Sequence, residues 1–100
     1  MYRRLRLCSD RGGYEAVADP ARPIDLGIAR KRLEADGLAV LDARVMLIVS
    51  MEVEVTLSRS GRLLFKTPDV RAAGRTFERL RTLLGLPPME AGGPPGADSG

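Results

Sequence analysis

Residues 53–84 read VEVTLSRSGRLLFKTPDVRAAGRTFERLRTLL, and this stretch constrains the fold more than any other part of the chain. Val53, Val55 and Leu57 alternate with Glu54, Thr56 and Ser58, the turn Arg59-Ser60-Gly61 follows, and then Leu63 and Phe65 alternate with Arg62, Leu64 and Lys66. Period-two alternation on both sides of a glycine-containing turn predicts a hairpin with one face on the core and one in water. Thr67, Pro68 and Asp69 then open a helix. Thr67 is its expected N-cap, Pro68 occupies the first turn, where a missing N–H costs nothing, and Asp69 sits near the positive end of the dipole. Val70, Ala73, Phe77, Leu80 and Leu84 fall three and four apart and define one apolar stripe. Arg71, Arg75, Arg79 and Arg81 lie off that stripe, and Gly85 before Leu86-Pro87-Pro88 ends the helix.

The earlier half uses the same signals. Residues 3–8 set Leu5 and Leu7 against Arg4, Arg6 and Cys8, the pattern of a strand with one covered and one basic face. Residues 9–13 read as a turn, and residues 14–18 read equally as a short returning strand or a loop. Asp25, after Pro23-Ile24, is an N-cap, and Gly37 ends the helix that it starts. Leu26, Ala29 and Leu33 form its core face with Ile28 at the flank, while Arg30, Lys31 and Glu34 read as a solvated side. Residues 38–43 and 45–50, rich in Val, Leu and Ile, follow as two strands expected at the centre of the sheet. The tail, residues 87–100, has little to bury and is expected to be disordered, which leaves residues 1–86 as one domain.

Composition enters chiefly through what it excludes. Cys8 is the single cysteine and there is no histidine, which removes disulfides, Cys/His zinc sites and Ser-His or Cys-His catalysis. Cys8 reads as a plain half-buried residue, and no metal or cofactor is expected. No apolar run approaches the roughly 20 residues of a membrane-spanning helix; the longest, residues 45–49, reads as a buried strand. The first ten residues are charged and lack an apolar stretch of signal-peptide length, so a cytoplasmic location is expected. Residues 1–85 carry 16 basic and 11 acidic side chains, a net +5, so the basic character belongs to the folded part. Fourteen of the 16 are Arg, which suits bidentate contacts to phosphate or carboxylate, and GC-rich codon usage gives the same bias.

The order of elements is strand, helix, four strands, helix. Four late strands joined by short turns predict an antiparallel sheet of about five strands with both helices packed on one face, an α+β fold of order β-α-β-β-β-β-α. Each helix has one apolar stripe only, so the other face of the sheet is expected to be open.

An apolar strand, Ser60-Gly61 with a basic residue next, a second strand, Thr67 and an Ala-containing helix together resemble one repeat of the TATA-box-binding protein, and IDLGIARKRLEADG is similar to that repeat's first helix. The likeness covers roughly residues 2–84, one repeat where that family carries two. It implies a sheet face that lies in the DNA minor groove, where the family wedges phenylalanines between base steps. Carried over by position, the outward residues are Thr56, Ser58, Arg62, Leu64 and Lys66, joined by Arg4 and Arg6 of the first strand. Ser58 stands where the family has its wedge, and residues 44–46 offer no aromatic either. With Phe65 and Phe77 in the core, only Tyr2 and Tyr14 remain for stacking on bases.

Two functions are therefore expected to compete. One is nucleic-acid binding through the open basic face, with Arg4, Arg6, Arg62 and Lys66 on phosphates and little base readout. The other is a protein-interaction or homodimerisation module, with twofold pairing through the first strand, residues 3–8, which would otherwise be a bare edge. An enzyme is not expected. Glu52 and Glu54 come nearest to an acid/base pair and read as solvated, and Gly12-Gly13 lacks the Lys-Ser/Thr of a phosphate loop.

Overall fold

Strand alternation and helix capping both leave their trace in the structure, a computed structural model that describes residues 1–8 and 12–90 and, of Cys8, the backbone only. The elements are β1 (Arg6–Cys8), β2 (Gly13–Ala16), α1 (Leu26–Ala35), β3 (Ala39–Asp42), β4 (Met46–Ser50), β5 (Glu54–Ser58), β6 (Leu63–Lys66) and α2 (Val70–Leu84). All strand pairs are antiparallel, and they form one six-stranded sheet in the order β1-β2-β6-β5-β4-β3. The fold is α+β, as expected, with six strands rather than about five. The added strand is β2, from the stretch that read equally as strand or loop, and it separates β1 from β6.

The same insertion corrects the position of β3, which the apolar run of residues 38–43 placed at the centre. The hairpins from β3 to β6 form a continuous meander, and β1 and β2 join it at β6, so β3 is left as the far edge. Ala39, Leu41 and Asp42 of β3 are accordingly exposed. In the turn to β4, Arg44 adopts a φ of 70° and donates its backbone N–H to Asp42 Oδ1 at 2.8 Å.

Both helices follow their stripes. Asp25 caps α1 by accepting from the Ile28 N–H at 3.1 Å, and Ala29 and Leu33 are buried. The cap of α2 is Asp69 and not Thr67: its carboxylate accepts from the Arg71 N–H at 2.9 Å, and the helix starts at Val70. Thr67, buried, accepts from the Asp69 N–H at 3.1 Å and shapes the approach instead. Asp wins because its side chain stands one residue before the first helical N–H groups, where Thr67 is too early by two.

The core joins one sheet face to the helices. Leu47, Val49, Val55, Leu57, Leu63 and Phe65 meet Leu33, Ala73, Phe77 and Leu80, all buried. Tyr2 is fully buried and packs edge-on against Phe77 with ring centroids 5.3 Å apart, and its hydroxyl donates to the Gly61 carbonyl at 2.8 Å. Gly61 has φ 97°, and a Cβ there would overlap the Arg22 carbonyl oxygen. The Tyr2 N–H donates to the Pro88 carbonyl at 2.9 Å and its carbonyl accepts from the Glu90 N–H at 2.6 Å. Residues 88–90, expected to be part of a disordered tail, are thus held to the domain, whereas residues 91–100, and residues 9–11 of the turn expected at 9–13, lie outside the described residues.

Candidate interaction face

The registers of the strand pairs sort the open face into three rows. Across its middle run Leu41, Ile48, Thr56, Leu64, Glu15 and Arg6, each directly opposite the next. On one side of this row Met46 stands opposite Ser58, whose N–H donates to the Arg62 carbonyl at 2.9 Å. On the other side Ala39, Ser50, Glu54 and Lys66 follow one another. Thr56, Ser58, Arg62, Leu64, Lys66 and Arg6 are therefore brought onto one surface. The strand registers do not assign Arg4, which precedes β1 in a stretch where Tyr2 and Leu5, three residues apart, are both buried and strict alternation fails. Its backbone N–H donates to Glu90 Oε1 at 3.2 Å and its Nε lies 4.0 Å from the same oxygen.

The charges of this face are largely occupied with one another. Glu15 points to the open side yet is 6% exposed, because two guanidinium groups lie across it. Arg62 Nε donates to Glu15 Oε2 at 2.6 Å, and Arg6 donates to the other carboxylate oxygen. The hydrogen bond from Arg6, aided by that from Arg62, holds the Glu15 carboxyl below the usual carboxylate range against the opposing effect of burial. Lys66 faces Glu54 at 3.9 Å with both side chains open to water. Beyond both charge clusters, toward β3, lies an apolar patch in which Leu41 is exposed and Ile48 and Met46 are half-buried, with half-buried Leu64 across Thr56 from Ile48.

The aromatics nominated for stacking are elsewhere. Tyr2 is in the core, and Tyr14 lies opposite Phe65 on the helix side of the sheet, so neither reaches the open face. Glu52 and Glu54 do not form a carboxylate pair either. Glu52 accepts three hydrogen bonds from Arg75 of α2, which hold its carboxyl below the usual range, while Glu54 belongs to Lys66. Among the described residues no group of His, Cys, Asp and Glu is placed to hold a metal ion, and no helix is long and apolar enough to cross a membrane.

Comparison with family models, with curated proteins and with solved structures finds no match for this chain.

Two features of the face were not read from the sequence. Glu15 is the middle of Tyr14-Glu15-Ala16, and a strand reading of that stretch would have set it opposite in sense to its neighbours, on the side of Arg6. Leu41 and Ile48 come from runs apolar on both faces, where no alternation shows, so only the register with Thr56 assigns them.

Proposed function

We propose that the chain is a small cytoplasmic interaction module, without catalysis, that binds a partner protein through the open face of its sheet. What supports this is the mutual neutralisation of the face: Glu15 takes up Arg6 and Arg62, and Glu54 faces Lys66. A phosphate at Arg6 or Arg62 would have to displace Glu15 or sit beside its negative charge. A protein surface makes no such demand. Leu41, Ile48 and Met46 form an apolar patch that reaches the β3 edge, flanked by Thr56, Leu64 and the neutralised charges, and apolar surface beside polar groups is what protein interfaces use; the fitting partner presents an apolar patch bordered by uncharged hydrogen-bonding groups. The test is a photo-reactive side chain at Ile48, with a control at Arg71 on α2, irradiated in cells of the source. The expected product is a protein adduct specific to Ile48 and resistant to nuclease; nuclease-sensitive adducts, or none beyond the control, overturn the reading.

The second reading, nucleic-acid binding through phosphate contacts as the resemblance to a TATA-box-binding-protein repeat implies, draws its support from the net charge of +3 and the isoelectric point near 9.6. It requires binding of a short duplex at low salt that weakens with added salt and is lost in Arg62→Glu plus Lys66→Glu.

A further inference from the structure

We propose that β3 pairs with β3 of a second copy of this chain, antiparallel about a twofold axis at Leu41, so that two six-stranded sheets join edge to edge. This goes beyond the reading above, because it uses the backbone edge of β3, with Leu41 as the one residue that belongs to both surfaces.

The direction of the backbone groups selects both the edge and the register. The Ala43 N–H donates to the Met46 carbonyl at 2.9 Å, so residue 43, and by alternation residue 41, turns its backbone groups toward β4. The N–H and C=O of Val40 and Asp42 then point away from the sheet. The adjoining donors are already used: the Leu38 N–H goes to the Leu33 carbonyl at 3.1 Å and the Arg44 N–H to Asp42 Oδ1 at 2.8 Å. An antiparallel copy centred on Leu41 sets Val40 opposite Asp42 of the second copy, and the two exchange N–H and C=O on each side of the axis. Centring on Val40 instead would call on Leu38, whose donor is taken.

The side chains agree with that register. Leu41 is 62% exposed and Val45, in the adjoining turn, 59%. The twofold sets Leu41 beside Leu41 of the second copy and carries the row from Leu64 through Ile48 across the joint. On the helix side, Leu47 and Val49 of β4 are fully covered whereas Val40 of β3 is only half-buried. Val40 packs against the core, and the part of its surface that stays exposed is what a second copy would cover. Arg30 of α1 donates to Glu34 at 3.2 Å and to Asp42 at 3.3 Å, so the flank above this edge holds a cation beside two carboxylates. Two such flanks brought together antiparallel set opposite charges within reach of each other. The other edge is less suited. Its strand β1 has three residues, and at Tyr2, just before it, the backbone is already bonded to residues 88 and 90.

Sedimentation from micromolar to near-millimolar concentration is expected to show a dimer. Leu41→Lys, at an exposed site where it sets like charges opposite each other, is expected to return the monomer mass with an unchanged circular dichroism spectrum. In a Cys8→Ser background, Leu41→Cys is expected to form a disulfide-linked dimer on mild oxidation and Thr56→Cys is not, since a pair at the axis has its Cα atoms about 4.5 Å apart, within disulfide reach. Leu64→Glu, which strikes the open face away from this edge, is expected to leave the dimer intact, so loss of partner binding and loss of dimerisation are read separately. A monomer over the whole concentration range, a dimer indifferent to Leu41→Lys, or equal cross-linking from positions 41 and 56 overturns the proposal.

Discussion

On the helix side of the sheet, Leu47, Val49, Val55, Leu57, Leu63 and Phe65 are each at 1% exposure or less, while Ile48, Thr56 and Leu64, their immediate neighbours along the same strands, remain half-exposed. One backbone thus serves two environments that differ in what a side chain is asked to do. On the covered side, volume and apolarity decide whether the fold holds. On the open side, the shape of the surface and the pairing of charges decide what can bind. The contrast is sharpest between two adjacent residues of β6. Phe65→Ala is expected to cost about 3–5 kcal/mol of stability, through lost burial and the cavity left against Phe77. Leu64→Ala should cost about 1 kcal/mol, because its side chain is only partly removed from water. Urea unfolding of the two variants measures both, and comparable costs would mean that the open face is covered in solution.

How much of this contrast was legible in the sequence differs from strand to strand. In β5 and β6 the polar residues fall strictly at every second position, apart from Leu64, so faces and core residues could be assigned without coordinates. In β3 and β4 the run LAVLDARVMLIVS is apolar at nearly every position, and alternation cannot say that Leu41 and Ile48 face outward or that β3 is an edge. The N-terminal hairpin hid for another reason: β2 has four residues, and its place beside β6 depends on long-range pairing with a strand nearly 50 residues later, which no local pattern encodes. Without β2, Glu15 was missing from the site, and so the charges of Arg6 and Arg62 looked available.

Glu15 is where the two environments meet, a carboxylate on the open side that is nonetheless buried, and it gives the next largest effect. Glu15→Gln keeps the shape but weakens hydrogen bonds to two guanidinium groups, and is expected to cost about 1–2 kcal/mol at neutral pH. The folded-state pKa is depressed, so the stabilisation is present above the unfolded value of 4.5 and is lost as pH falls through the lower folded value. Wild-type stability should therefore decline on acidification more steeply than that of Glu15→Gln, with the two curves converging at low pH. Parallel curves would mean that the carboxylate is not bound as described. The same variant sharpens the functional comparison, because it releases Arg6 and Arg62 from their carboxylate. A gain in duplex binding by Glu15→Gln alone would show that Glu15 suppresses phosphate contacts on this face.

Tyr2 carries the comparison into alkaline solution. Burial pushes its hydroxyl up to about 12, with the Arg22 charge acting in the opposite sense. A raised folded-state pKa means stability that is complete below the unfolded value of 10 and is lost as pH rises from there toward 12. Tyr2→Phe removes the bond to the Gly61 carbonyl and is expected to cost about 1 kcal/mol at neutral pH. It should also flatten the alkaline limb, read by unfolding at a series of pH values. A wild-type limb as flat as the variant's would place the phenol in water and separate the N-terminal segment from the core.

Lys66 and Glu54 give the smallest effect and the cleanest control on the reasoning about Glu15. Their side chains are 69% and 47% exposed and stand 3.9 Å apart, so solvent screens the attraction, and holding two long side chains together offsets much of what remains. Lys66→Gln is expected to change stability by no more than about 0.5 kcal/mol, and by still less as salt is added. The Glu15 cluster has the same charge types on the same face, and differs in that its carboxylate is buried and bonded from both sides. If Lys66→Gln costs as much as Glu15→Gln, or if the Glu15 effect fades equally with salt, burial is not what distinguishes the two clusters, and Arg6 and Arg62 are as exchangeable toward an incoming phosphate as Lys66 is.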